Sequence, residues 1–177
     1  MSLIGFPNPV NEVAARCVAA GVVISAAGIL VLGTAVGSAW LWLSVLLAYG
    51  FLARVLTGPK LSPLGQLATR VLAPRIGHER LVPGPPKRFA QAIGATLTVA
   101  AVVFLAVGLP GVTVALLAAL VAAAGLESIL GLCLGCKAFA VLMRLGVIPA
   151  QTCAACADLS LRSSNPASRA DRQALRG

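Results

Sequence analysis

Two long stretches of this chain contain no Asp, Glu, Lys or Arg: Val18 to Ala53 and Phe89 to Leu126. As a single helix, either stretch would run about 55 Å at 1.5 Å per residue, well past a hydrocarbon core of roughly 30 Å. Each must therefore fold back on itself. The turning points are visible, because Gly33, Gly37 and Ser38 interrupt the first stretch and Gly108, Pro110 and Gly111 the second. The pattern predicts four helices, near 13–32, 39–56, 90–109 and 112–132, arranged as two hairpins. A soluble helix needs a polar face to meet water, and none of these has one. The fold class expected is an all-α polytopic membrane protein.

Composition agrees. The chain is 59% hydrophobic and 11% charged, where a soluble domain carries about 25% charged residues. The opening segment MSLIGFPNPVNEVAARC lacks the basic leader of a signal peptide, and the apolar run behind it is too long for one. It is expected to stay in the mature protein.

The net charge of +9 comes from 14 Lys and Arg residues that are unevenly placed. Arg54, Lys60, Arg70, Arg75, Arg80, Lys87 and Arg88 lie between the second and third helices. Lys137, Arg144, Arg162, Arg169, Arg172 and Arg176 follow the fourth, and Arg16 opens the first. The hairpin turns have none. Since Lys and Arg are retained on the cytoplasmic side, both termini and the long loop are expected in the cytoplasm of a bacterial inner membrane. Trp40 and Trp42 then anchor the opposite interface. No stacking aromatics accompany the basic residues, so nucleic acid is not an expected partner and the lipid bilayer is.

The loop between helices two and three, 57–88, holds Pro59, Pro63, Pro74, Pro83, Pro85 and Pro86, which exclude one continuous helix. A short helix is expected from Ser62 as N-cap and Pro63 at the first position, with Leu64, Leu67, Val71 and Leu72 on one side. It would lie on the membrane surface or pack under the bundle. Arg75, Arg80, Lys87 and Arg88 form a basic group that either docks an acidic partner or sits against headgroups. His78 reads as a loop residue.

Candidate chemistry rests on sulfur. Of five cysteines, Cys133 and Cys136 form one C-x-x-C pair and Cys153 and Cys156 another, with Cys17 one turn inside the first helix at the same membrane depth. Residues three apart share a helix face, so the first pair is expected to point one way from the end of the fourth helix. Gly146 and Pro149 end the helix carrying it, and Thr152 can cap a new turn opening on Cys153, where a helix N-terminus favours thiolate. The domain is expected to extend through Cys156, and the tail 157–177 to be disordered or ordered by a partner.

Three explanations of the cysteines stay open. The spacing C-x2-C-x16-C-x2-C fits a four-cysteine zinc site at Cys133, Cys136, Cys153 and Cys156. The same four could instead pass electrons or persulfide sulfur between them. They could also be small apolar residues. Glu127 is the one acid within a span; it reads as a proton acceptor beside the thiols, as a partner of Arg16 or Arg54, or as an interhelix bond. Helical phase puts it off the face of Cys133 and Cys136 unless the chain bends at Gly131 or Gly135.

The stretches FPNPVNE, TGPKLSPLGQLATRVLAPRIG, VPGPPKRFAQAIGA and LESILGLCLGC resemble the bacterial membrane proteins catalogued as domain of unknown function 4395, over about Phe6 to Cys156. The matched positions include Asn8, Pro9, Gly58, Pro59, Ser62, Pro63, Arg75, Pro85, Lys87, Arg88, Glu127, Cys133 and Cys136. The resemblance carries no established activity. Such proteins often occur beside thioredoxin-like or sulfurtransferase-like proteins, which implies thiol or sulfur handling.

The preferred expectation is a membrane-embedded thiol redox or sulfur-relay protein. Its catalytic candidates are Cys133, Cys136, Cys153, Cys156 and Glu127. The alternatives are an accessory subunit of a larger membrane complex with structural zinc, and a quinone-linked thiol oxidoreductase in which Glu127 lines the ring pocket.

Overall fold

Asn11 starts the first helix: its side-chain oxygen accepts the Val13 N–H at 2.9 Å, and Glu12 occupies the first turn, where the helix dipole favours a negative charge. The computed structural model describes residues 9–76 and 81–148. His78, Arg80, Cys153, Cys156 and the tail lie outside the described residues.

Helix α1 runs Glu12–Ala35. A 3-10 segment, Ser38–Leu43, carries the exposed Trp40 and Trp42 and leads into α2, Ser44–Thr57. After a 3-10 turn at Gly58–Lys60 comes a bent helical segment made of α3, Pro63–Leu67, a π turn over Ala68–Leu72, and α4, Ala73–Ile76. Ser62 caps α3 as expected, accepting the Gly65 N–H at 3.3 Å. The π turn has a cause in Pro74, whose ring would collide with the carbonyl of Arg70 in a regular α-helix. The Ala73 N–H bonds instead to the Ala68 carbonyl, five residues back.

Leu64 packs against the core, but Leu67 and Val71 face outward and the buried positions are Gly65, Ala68 and Ala73. The expected single apolar side is thus split between the bundle and its surroundings.

Helices α5, Gly84–Ala106, α6, Pro110–Leu130, and α7, Leu134–Arg144, complete the chain. Two short strands, β1 (Val10–Asn11) and β2 (Leu81–Val82), pair antiparallel, with Val10 opposite Val82 and Asn11 opposite Leu81. They tie the entry of α1 to the entry of α5.

Both expected fold-backs are present; the legs of the second, α5 and α6, pack on each other, while those of the first lie largely apart. Helix α1 packs chiefly on α6, α2 on α5, and α5 on α6, while α1 and α2 touch only lightly. The 3-10 segment causes this. It crosses the end of the bundle in contact with α1, α5 and α6, with Leu41 buried beneath α1, and so delivers α2 beside α5.

The core joins Val18, Val22, Ala26 and Ile29 of α1 to Phe51 of α2, Ala101 of α5 and Leu117 of α6. The Thr113 hydroxyl donates across to the Ala101 carbonyl at 2.9 Å. Outward positions are equally apolar, Ile24 being 74% exposed and Ile129 75%. A surface that repeats the chemistry of the interior has hydrocarbon, not water, as its solvent. Four helices among the described residues are long and apolar enough to cross a membrane, and the chain is a multi-pass membrane protein.

The third helix starts at Gly84, not near Ala90. Pro85 and Pro86 fall in its first turn, where backbone N–H groups have no intrahelical acceptor to lose. Lys87 and Arg88, expected in the loop, are therefore helical.

Candidate thiol site at one end of the bundle

The starts of α1 and α5 and the ends of α2 and α6 meet at one end of the bundle. Polar side chains join them pairwise. Arg54 Nε donates to Gln91 Oε1 at 2.9 Å, Arg88 Nε to the Val55 carbonyl at 3.2 Å, and Lys87 Nζ lies 2.6 Å from Glu127 Oε1.

Four carbonyls at the end of α6 find donors. Gly131 takes a left-handed conformation (φ 68°) that a side chain would strain, and this turns the chain out of the helix. The N–H groups of Gly131 and Leu132 return to the carbonyls of Glu127 and Leu126 at 3.0 and 3.2 Å. The Arg16 guanidinium takes the next two carbonyls, Ser128 at 3.1 Å and Ile129 at 2.9 Å. A cation on a helix C-terminus also complements the dipole there.

Two residues after Gly131 the chain opens a new helix, and Cys133 is its N-cap. The Cys133 sulfur accepts the backbone N–H of Cys136 at 3.4 Å, in the position that Ser or Asp usually fills. This corrects the expectation that the pair projects from the end of the fourth helix: the bend at Gly131 separates the pair from α6 and starts α7.

Helix α7 is held on α5. Gly135 comes so close to Ala90 that a Cβ there would sit 2.6 Å from its Cα, and Phe89 and Phe139 meet with ring centroids 5.6 Å apart at 59°. This contact sets Cys133 and Cys136 above the first turn of α5, beside Lys87.

Lys87 is 8% exposed. As a buried partner of Glu127 it is not available to dock anything, which corrects its assignment to the basic docking group. Arg75 and Arg88 remain exposed, and Arg80 lies outside the described residues. Of the readings left open for Glu127, the structure shows an interhelix bond, to Lys87; Arg16 is engaged on the α6 carbonyls and Arg54 on Gln91 and Ser62.

Cys133 is buried, Cys136 half-buried, and both are free thiols. The hydrogen bond from the Cys136 thiol brings Cys133 down to about 7; the Cys136 backbone N–H and the charge of Lys87 act the same way, while desolvation and Glu127 oppose. Cys136 keeps the shared proton and is pushed up, with burial adding to the effect. One sulfur is therefore poised to be a thiolate near neutrality and the other to be its proton donor.

A cleft of about 390 Å³ opens onto this group, lined by Glu12, Pro83, Lys87, Cys133, Cys136 and Lys137 among others. Cys17 packs against the hydrophobic core. Among the described residues, no three His, Cys, Asp or Glu side chains cluster to hold a metal. The second C-x-x-C pair, on which a four-cysteine zinc site depends, lies outside the described residues.

Sequence reasoning singled out Glu127, Cys133 and Cys136, which the fold brings to one place. It missed Gln91. The signal was an amide four residues after Lys87 in an otherwise apolar run, on the same helix face.

The family model described as domain of unknown function (DUF4395) matches residues 10–144, a span that holds every residue of this site. No curated protein and no solved structure matches.

Proposed function

We infer that this chain, which belongs to the family described as domain of unknown function (DUF4395), is a membrane-embedded dithiol that exchanges electrons or sulfur with a partner at the end of the bundle carrying Cys133 and Cys136. The observation that carries this is the asymmetry of the pair. The Cys133 sulfur accepts the Cys136 backbone N–H at 3.4 Å and is held down toward neutrality while Cys136 is pushed up, and both sulfurs line one cleft beside Lys87.

With a partner disulfide as oxidant, the Cys133 thiolate attacks one sulfur, forming a mixed disulfide and releasing one partner thiolate. Cys136 gives its proton to that thiolate and attacks the Cys133 sulfur, which expels the second partner thiolate. The pair ends as a disulfide, and the partner has gained two electrons. The positive charge of Lys87 supports the thiolate, and Glu127 holds Lys87 in place. The basic residues at this end favour a cytoplasmic location in a bacterial inner membrane. The family resemblance implies a thioredoxin-like or sulfurtransferase-like protein as the partner.

The test uses full-length protein in lipid nanodiscs, incubated with oxidised glutathione. The Cys136→Ser variant should accumulate a mixed disulfide on Cys133, and the wild type should not. A Cys133→Ser variant that forms the adduct equally well at Cys136 would contradict the assignment.

A further inference from the structure

Arg54 is 4% exposed, inside a membrane protein, and its partners among the described residues are all neutral: Gln91 Oε1 at 2.9 Å, Ser62 Oγ at 3.2 Å and the face of the Phe51 ring 4.4 Å from the guanidinium carbon. Two of its five N–H donors are engaged by those oxygens. A buried charge without a counter-charge is costly and persists where something compensates it. Lys87, by contrast, has Glu127.

Beside Arg54 lies a cavity of about 200 Å³, distinct from the thiol cleft. Its walls are mostly apolar, from Ala14, Val18 and Pro59, and its polar groups are Arg54, Gln91, Asn11, Thr69 and Lys87. A cavity of roughly 150 Å³ accepts a benzene-sized molecule, so this one suits a body of on the order of eight non-hydrogen atoms. Apolar walls with one uncompensated cation match a particular ligand chemistry: a monoanionic head on a small hydrophobic body. A strongly hydrated dianion would lose its water to apolar walls, and a neutral hydrocarbon would leave the guanidinium unpaired.

We propose that the cavity at Arg54 is a binding site for a small amphiphilic carboxylate, held by charge-assisted hydrogen bonds from the guanidinium with Gln91 orienting it. Neither Cys133 nor Cys136 lines this cavity, and Lys87, held by Glu127, is the residue it shares with the thiol cleft.

The probes are benzoate and its neutral isostere benzamide, added to full-length protein in detergent and followed by saturation-transfer NMR and thermal unfolding. Benzoate should bind and raise the unfolding temperature, and benzamide should bind about tenfold more weakly or worse. Arg54→Gln should abolish the preference for benzoate, and Arg54→Lys should retain part of it. Thr69→Phe, which fills the cavity and keeps Arg54 in the chain, should abolish binding of both and serves if Arg54→Gln does not fold. Equal binding of the two probes to wild type, no binding of either, or benzoate binding that survives both Arg54→Gln and Thr69→Phe would overturn the proposal. A Cys133→Ser/Cys136→Ser variant should bind benzoate as wild type does, which separates this site from the dithiol.

Discussion

Lys87 Nζ and Glu127 Oε1 stand 2.6 Å apart, with side-chain exposures of 10% and 16%, joining the first turn of α5 to the last turns of α6. The bond links the two helices that flank the cysteine pair, and it carries the first expectation. Removing one partner leaves the other charge buried, so Glu127→Gln or Lys87→Met should each cost about 3 kcal/mol. The double variant Lys87→Met/Glu127→Leu should recover most of that loss. Denaturant unfolding of the three variants in detergent measures it; a loss in the double variant equal to the sum of the single losses would mean that the two residues are not coupled.

The thiolate of Cys133 sets a pH dependence. A group held at about 7 is mostly protonated below that pH and mostly thiolate above it, so alkylation by iodoacetamide should rise through a midpoint near 7. Cys136→Ala removes the thiol hydrogen bond that stabilises the thiolate, and the midpoint should move upward, toward the ordinary cysteine value of roughly 8.5. Peptide-level mass spectrometry across pH reads both.

Close packing of α7 on α5 should be sensitive to a single methyl group. Gly135→Ala places a Cβ against the Ala90 backbone. The expected outcome is faster labelling of Cys136 by a small maleimide, with the unfolding temperature of the four-helix bundle nearly unchanged. Gly131→Ala should destabilise the same junction by about 1 kcal/mol, because φ 68° strains any side chain.

Orientation can be read with single cysteines in a cysteine-free background. A membrane-impermeant maleimide should label Arg75→Cys only from the cytoplasmic side of vesicles and Ser38→Cys only from the opposite side. The reverse pattern would transfer the thiol chemistry to the other compartment.

The spans were legible because charge is excluded from hydrocarbon and because Gly37 and Pro110 stand where the chain turns. The start of α5 was not. Pro83, Pro85 and Pro86 read as loop, yet a helix tolerates proline in its first turn, and only tertiary contact decides between the two. The site was half legible. Glu127 stood out as a lone acid and the C-x-x-C as a motif, but the choice of Lys87 over Arg16 or Arg54 depends on which helices adjoin. The 3-10 crossing that buries Leu41 sets α1 beside α6 and α2 beside α5, which commits Arg16 to the α6 carbonyls and Arg54 to Gln91, and no periodicity announces it. The new helix at Cys133 had one sequence cue, Gly131, which a helix interior would have absorbed at a cost of about 1 kcal/mol.

The central claim is that Cys133 and Cys136 form one reversible redox couple. The direct measurement equilibrates full-length protein in nanodiscs against glutathione buffers of graded potential, traps free thiols, and quantifies the linked and unlinked peptides by mass spectrometry. The expected result is a two-electron transition in which the Cys133–Cys136 disulfide forms and is reversed by reductant. Two thiols that stay unlinked and fully alkylatable at every potential would contradict it.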